Sequence, residues 1–294
     1  MWIRNKRAAR SSRVPSPPFD GLFGRLFDCP VDGLPPTECD ARDNGRVGWL
    51  SMIGVFMTTV GSDSRLVLWD IDHTLIDGGT VSRRAYAAAF RQVSGRSLDQ
   101  PWQFDGRTEL AAASEVLRAH GLPTEGGMLD AFLELIVAEL RQREAELAAE
   151  GRVLAGAQEA LTAIGAVPGV CQSVLTGNLY ALAELKLTVF GLTEHVDLRV
   201  GAYGDDAYER IDLPARAFAR TEEHLGRRHV GADTVIVGDT LRDVATARAA
   251  GARCVAVATG TTSAAALTEA GADVVLTDLA DTDEVLAALL APTR

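Results

Sequence analysis

Short apolar runs that alternate with helical patterns are the feature of this chain that most restricts its fold. Six runs, each rich in Val and Leu, follow one another from residue 65 onward, at 65–71, 170–176, 196–201, 233–239, 253–259 and 273–277. From the second run on, amphipathic helical patterns separate them. Strands of this kind that alternate with helices are typical of a parallel sheet covered on both faces. The sequence therefore predicts an α/β fold, a Rossmann-like doubly wound parallel sheet, with a strand at each run.

The gap between the first and second runs interrupts this alternation. Residues 80–152 contain no strand pattern and are rich in helix formers, as in "AAAFRQV" and "FLELIVAELRQREAELAAEG". Since unstructured loops in a compact fold seldom exceed about 15 residues, the stretch is predicted to be an inserted helical cap domain. The α/β core domain then consists of 63–79 and 153–294. Residues 1–62, rich in Pro, Gly, Ser and charge, are predicted to form a disordered N-terminal extension.

Composition restricts the partners of the protein. The formal net charge is −11, which argues against general binding to nucleic acid or to acidic membranes. No apolar stretch reaches the ~20 residues of a membrane helix. The four cysteines show no paired spacing, which indicates a reducing, cytoplasmic location and no cysteine metal site. A phosphate-bearing substrate would need local positive charge or a metal ion to hold it.

Acidic and hydroxyl side chains follow three of the predicted strands. Asp70 ends the first run, Thr176 the second and Asp239 the fourth. Ligands of open parallel sheets bind where the strands end, so these side chains are predicted to meet at one edge. Asp70 and Asp239 are the hard oxygen ligands that Mg²⁺ prefers, and Asp72, two residues after Asp70, remains available to exchange protons.

Three motifs carry a resemblance to a known family. "DIDHTL" (70–75), "LTGN" (175–178) and "VGDTLRD" (237–243) occur in this order, with a helical insertion after the first. The chain is similar to the haloacid dehalogenase superfamily, and within it to phosphoglycolate-phosphatase-like members with a helical, C1-type cap. The resemblance covers residues 64 to 292.

The resemblance implies a role for each acid. Asp70 is the expected nucleophile, which attacks phosphorus to give an aspartyl-phosphate, and Asp72 is the expected general acid and then general base. The implied cofactor is Mg²⁺, with Asp70, Asp72, Asp239 and Asp243 as its expected metal site. For Asp243 an alternative stays open, because an acid in the first turn of a helix is stabilised there without any metal.

Phosphate binding is expected from the second motif and from one cation. Thr176, with the backbone amides of Gly177 and Asn178, is expected to hold the phosphoryl group; the alternative is an ordinary helix N-cap. The family supplies a lysine shortly before the fourth strand, but this chain has only Lys6 and Lys186. Lys186 lies on the helix after Thr176, about 12 Å along it from Asn178.

Arg210 is nearer to the expected sequence position, although a guanidinium is not interchangeable with an ammonium group. Lys186 is preferred here, and both residues stay candidates. In the cap, "FDGRTEL" (104–110) resembles a segment that reads Gly-Arg-Thr-Asp in the family, with Glu109 in the last place. Arg107 is the candidate for contacting a substrate carboxylate or second phosphate; alternatively, the segment only begins a helix.

The predicted function is a Mg²⁺-dependent phosphatase that hydrolyses a small phosphorylated metabolite, as a monomer or homodimer. A phosphotransferase or phosphomutase shares the first half-reaction and would pass the phosphoryl group to a sugar. A dehalogenase would also use Asp70, but it needs neither a metal nor Asp72. A non-catalytic binding protein on the same scaffold is the alternative from a different class.

Overall fold

The computed structural model describes residues 64–98, 106–125 and 127–292. The predicted extension at 1–62 and residues 104 and 105 of the cap segment therefore lie outside the described residues. Within the described ranges, a five-stranded sheet is formed by β1 (Arg65–Trp69), β4 (Val170–Val174), β5 (Thr234–Gly238), β6 (Arg253–Val257) and β7 (Val274–Leu276). The strand order is β4-β1-β5-β6-β7 and every pair is parallel.

Helices cover both faces of this sheet. They are α5 (Ala157–Gly165), α6 (Tyr180–Val189), α7 (Leu213–Leu225), α8 (Leu241–Ala250), α9 (Ala264–Glu269) and α10 (Thr282–Leu290). Alternate residues of β1 face opposite layers, as the period of two requires. Leu66 and Leu68 pack with α7 and α8, whereas Val67 and Trp69 pack with α5 and α10. The predicted doubly wound parallel sheet is confirmed.

One predicted strand is wrong. The run at 196–201 contains a 3-10 helix, Leu198–Val200, instead of a strand. The side chain of Asp197 accepts a hydrogen bond from the backbone N–H of Arg199 at 3.1 Å and pairs with its guanidinium at 2.7 Å. This local bonding competes with a strand ladder. Only Ala202, just after the run, forms a single parallel bridge, to Leu175.

Four helices of the described residues lie within 80–152, where the sequence predicts the cap. They are α1 (Val81–Ser94), α2 (Glu109–Ala119), α3 (Gly127–Gln142) and α4 (Glu144–Glu150). Their apolar faces share a separate core that includes Phe90, Leu117 and Phe132. The short strands β2 (Ile76–Asp77) and β3 (Arg152–Val153) pair antiparallel at the two ends of this insertion. The domain boundaries at 80 and 152 stay a prediction.

No helix in the described ranges is both long enough and apolar enough to cross a membrane.

Candidate active site

The ends of three neighbouring strands bring the predicted acids and the predicted hydroxyl to one edge of the sheet. Asp70 directly follows β1, and its N–H donates to the carbonyl of Val237 in β5 at 2.8 Å. Thr176 lies two residues beyond β4, and its N–H donates to Ala202 at 3.0 Å. Asp239 directly follows β5. The adjacent parallel strands β4, β1 and β5 therefore place these three side chains at the same edge of the sheet.

Three buried carboxylates form an acidic cluster at this edge. One oxygen each from Asp70, Asp239 and Asp243 lies within 4.8 Å of the others, and each residue is at most 5% exposed. Arg210, from the 3-10 helix Arg210–Asp212, places its guanidinium 2.6 Å from Asp243 and 3.1 Å from Asp70. When all three carboxylates are ionised, the single guanidinium leaves two negative charges uncompensated. This donor set fits a divalent, oxygen-preferring cation such as Mg²⁺, which Asp70, Asp239 and Asp243 would hold.

The crowding of negative charge changes the acidity of two members of the cluster. Burial, opposed by Arg210 but reinforced by Asp243 and Asp72, raises the pKa of Asp70 to about 6. Burial together with Asp70 and Asp243 raises the pKa of Asp239 to about 8. Ionisation of both carboxyl groups is therefore unfavourable without a cation. A bound cation would stabilise their ionised forms.

Asp243 also has the structural role that the sequence left open. Its side chain accepts hydrogen bonds from the backbone N–H of Thr240 at 3.0 Å and from the Thr240 hydroxyl at 2.6 Å. Thr240 in turn caps the N–H of Asp243, so the pair forms a capping box at the start of α8. The same carboxylate therefore begins a helix and belongs to the acidic cluster.

Asp72 is held by a different cation. Lys186 Nζ donates to both carboxylate oxygens of Asp72, at 2.7 and 2.8 Å, and to Oδ1 of Asn178 at 2.7 Å. The amide Nδ2 of Asn178 also donates to Asp72, at 2.8 Å. Burial alone would raise the pKa of Asp72, but the Lys186 ammonium and the Asn178 amide lower it below its usual value.

Lys186 thus reaches the site from α6, despite its separation from Asn178 along the helix. Side chains of helical residues point back toward the N-terminus of the helix, which shortens that separation. The residue is 3% exposed, so its charge is directed into the site and not into solvent. The two candidate cations therefore have different surroundings. Lys186 pairs with the presumed acid–base group Asp72, and Arg210 pairs with the carboxylate cluster.

The Thr176-Gly177-Asn178 segment is an ordered loop and not a helix cap. The N-cap of α6 is Leu179, so the alternative role of Thr176 as N-cap is wrong. The Thr176 hydroxyl oxygen accepts from the backbone N–H of Asn178 at 3.2 Å and from its side-chain amide at 2.8 Å. Its own hydrogen is then the part available to donate.

The start of α2 lies directly against this loop. The N–H of Glu109 donates to the carbonyl of Gly177 at 2.8 Å. A Cβ atom on Gly177 would lie 1.9 Å from the carbonyl oxygen of Arg107, so only glycine permits this approach. Arg210 adds a further link, because its Nη1 donates to the carbonyl of Gly106 at 3.3 Å. Segment 106–109 of the insertion is therefore fixed to the loop expected to bind phosphate.

Arg107 lies at the predicted place but has a protein partner. Its guanidinium pairs with Glu115, eight residues further on in α2, and its side chain is 35% exposed. Segment 107–110 also begins a helix, as the alternative reading has it, because the Thr108 side chain caps α2 through the N–H of Ala111. The helix start is therefore confirmed, whereas contact of Arg107 with a substrate stays a prediction.

One cavity of about 210 Å³ is lined by all of the site residues named from the sequence except Asp243, which lies behind it. The insertion contributes Arg83, Tyr86, Arg107 and Glu109 to its wall. Sequence reasoning missed Tyr86 as a wall residue, and it noted Glu109 only as a departure from a motif. The helical spacing of the apolar residues in α1 places Tyr86 on the buried face of that helix. Nothing in the sequence indicates that this face borders a cavity.

The chain belongs to the haloacid dehalogenase-like hydrolase family, whose sequence model matches residues 65–251. The predicted superfamily and the predicted hydrolase class of enzyme are thereby confirmed. The chain is 29% identical over 210 residues to a protein described as "Probable phosphatase IndB" from Dickeya dadantii, a match that covers 66% of this chain and 81% of that protein.

Solved structures share the fold. CbbY from Rhodobacter sphaeroides, in complex with phosphate, superposes with a TM-score of 0.59 at 20% identity, over 77% of this chain and 99% of that chain. A protein from Clostridium acetobutylicum, described as a "predicted phosphatase", gives a TM-score of 0.57 at 19% identity, over 76% of this chain and 98% of that chain.

Proposed function

We propose that the protein is a Mg²⁺-dependent phosphatase that hydrolyses a small phosphomonoester through an aspartyl-phosphate on Asp70. The observation that carries the proposal is the meeting of Asp70, Asp72, Thr176 and Asp239 in one cavity. The similarity of this chain to a protein from Dickeya dadantii that is described as a probable phosphatase supports the same reaction class. When bound, Mg²⁺ would neutralise charge on the phosphoryl oxygens and on the carboxylates that surround them.

The first half-reaction follows from the two aspartates after β1. A carboxylate oxygen of Asp70 forms a bond to phosphorus while the ester oxygen leaves on the opposite side. Asp72 gives its proton to that leaving oxygen. The Thr176 hydroxyl donates to a phosphoryl oxygen, and the strand ends hold these groups in place.

The second half-reaction uses Asp72 in its ionised form. Asp72 removes a proton from water, the water oxygen attacks phosphorus, and the bond to Asp70 breaks to release phosphate. Pairing with Lys186 favours this ionised form. For Asp72 to be an acid in the first half-reaction, we infer that the arriving phosphate dianion attracts Lys186 away from it. Lys186 would then alternate between Asp72 and the substrate.

The test is phosphate release from a panel of phosphomonoesters with Mg²⁺ and with chelator. We expect metal-dependent turnover by the wild type and a loss of at least about a thousand-fold in Asp70→Asn. Asp130→Asn, an exposed carboxylate on α3, is the matched control and should keep full activity. Unchanged turnover in Asp70→Asn, or in chelator, would contradict the proposed chemistry. Preferential transfer of phosphate to an added sugar would show a phosphotransferase instead.

A further inference from the structure

Glu109 lines the cavity together with Asp72 and Lys186. One of its carboxylate oxygens, Oε2, is buried and has no hydrogen-bond partner among the described residues. A buried acceptor without a partner is costly, and such groups in native proteins usually have a ligand or water partner. The carboxylate group therefore stands at the cavity wall with a hydrogen-bonding capacity that no described residue uses.

The neighbouring cations are already used by other groups. Lys186 directs its three donors to the two oxygens of Asp72 and to Asn178. Arg107 pairs with Glu115. Burial, opposed by Lys186 but reinforced by the Asp72 charge, raises the pKa of Glu109 to about 7. A donor from a ligand would therefore satisfy Glu109 without breaking a contact in the protein.

The backbone around Glu109 determines which part of a ligand it would reach. The N–H of Glu109 is bonded to Gly177, and the Thr108 hydroxyl donates to the carbonyl of Tyr208 at 2.6 Å. Glu109 is thus fixed next to the loop expected to bind phosphate. A side chain in this place, beside the loop expected to bind phosphate and in the same cavity as Asp72, faces the part of the ester next to the phosphoryl group, which is its alcohol portion.

We propose that Glu109 is a specificity-determining residue that accepts a hydrogen bond from a free hydroxyl of the substrate alcohol. The preferred substrate is then a phosphomonoester of a polyol or sugar, with a hydroxyl on the carbon next to the ester carbon. An ester with a carboxylate at that position is a poorer substrate, because it offers no hydrogen bond for Glu109 to accept. This inference rests on the proposed phosphatase function.

Three small esters test the proposal. Glycerol 3-phosphate carries that hydroxyl and a second one on its far carbon, propyl phosphate lacks both, and 2-phosphoglycolate carries a carboxylate instead. 3-Hydroxypropyl phosphate, which keeps only the far hydroxyl, should behave as propyl phosphate does. For the wild type with Mg²⁺, we expect kcat/KM for glycerol 3-phosphate to exceed that for propyl phosphate by roughly ten- to a hundred-fold, the effect of one hydrogen bond to a charged group. Phosphoglycolate should be the poorest of the three.

The variant Glu109→Gln keeps the shape of the side chain and removes its charge. We expect it to reduce the preference for glycerol 3-phosphate over propyl phosphate by about ten-fold and to raise kcat/KM for phosphoglycolate by a similar factor. Turnover of propyl phosphate should fall less than turnover of glycerol 3-phosphate, which separates a specificity role from general damage to the catalytic groups. Glu134→Gln, an exposed carboxylate on α3, is the matched control and should leave all three values unchanged.

The outcomes separate the two proposals. If the wild type hydrolyses the esters but Glu109→Gln leaves their ratios unchanged, the role of Glu109 is overturned and the phosphatase function stands. A wild type that hydrolyses none of them counts against the phosphatase function. Binding of the three esters to Asp70→Asn and to the double variant Asp70→Asn/Glu109→Gln, measured by calorimetry, then tests Glu109 independently. Equal affinities for all three esters in both proteins would overturn it.

Discussion

Replacing Lys186 by methionine should both destabilise the protein and remove its activity. The change removes three hydrogen bonds of 2.7 to 2.8 Å from the ammonium group and leaves Asp72 without its counter-ion. Breaking a fully buried ion pair costs about 3–5 kcal/mol. The Asp72 side chain is 37% exposed, so water compensates part of this loss. We therefore expect the free energy of unfolding to fall by about 2 kcal/mol, since methionine fills the remaining space.

Urea unfolding of four proteins measures this effect. They are the wild type, Lys186→Met, Asp72→Asn and the double variant. Because the two residues are in contact, the double variant should lose less stability than the sum of the single losses, by about 1 to 2 kcal/mol. Activity should fall at least about a hundred-fold in Lys186→Met, since its ammonium group is expected to bind the phosphoryl group as well as Asp72.

Two results would refute this reasoning. Strictly additive losses would mean that the Lys186–Asp72 contact contributes nothing to stability. Retention of full turnover in Lys186→Met would mean that Arg210, and not Lys186, is the cation that serves the phosphoryl group. The exposed variant Asp130→Asn controls for the general effect of removing one surface charge.

Two further predictions follow from the acidic cluster and the loop beside it. The pKa of Asp239 is raised to about 8, so the folded state keeps a proton that the unfolded state releases above about pH 4. Without Mg²⁺, the melting temperature should therefore fall from pH 5 to pH 9. The fall should be less steep in Asp239→Asn. Added Mg²⁺ should stabilise the wild type most at high pH, and a pH-independent stabilisation would contradict this. Gly177→Ala would place a Cβ atom 1.9 Å from the Arg107 carbonyl. It should cost roughly 1–3 kcal/mol in urea unfolding and raise KM, whereas Gly127→Ala, at a position with open space and without a positive φ, controls for glycine replacement alone.

The arrangement of the sheet could be predicted because it depends on local patterns. The runs that became β1, β4, β5, β6 and β7 are apolar on both faces, as a strand covered by helices on each side must be. The run at 196–201 shows where this reasoning fails. Its apolar residues are similar in kind, but the short-range hydrogen bonds of Asp197 stabilise a 3-10 helix, and a pattern of hydropathy does not record that competition.

The acids of the site were also determined by the sequence. Their positions at the ends of parallel strands are a consequence of topology, so the meeting of Asp70 and Asp239 followed from chain order alone. Three short motifs were enough to name the family, since each motif has its polar residues just after the end of a strand. These inferences need only the direction of a strand and the point where it ends.

Only the tertiary structure decided which cation serves which acid. Lys186 pairs with Asp72, and Arg210 pairs with Asp70 and Asp243. The number of residues between these partners along the chain predicts neither pairing. The unpartnered oxygen of Glu109 likewise became visible only in the folded chain. Such contacts depend on the directions of long side chains and on the packing of the insertion against the core. Sequence spacing determines where a backbone lies along an element, whereas the partner of a side chain depends on what the rest of the fold brings near it.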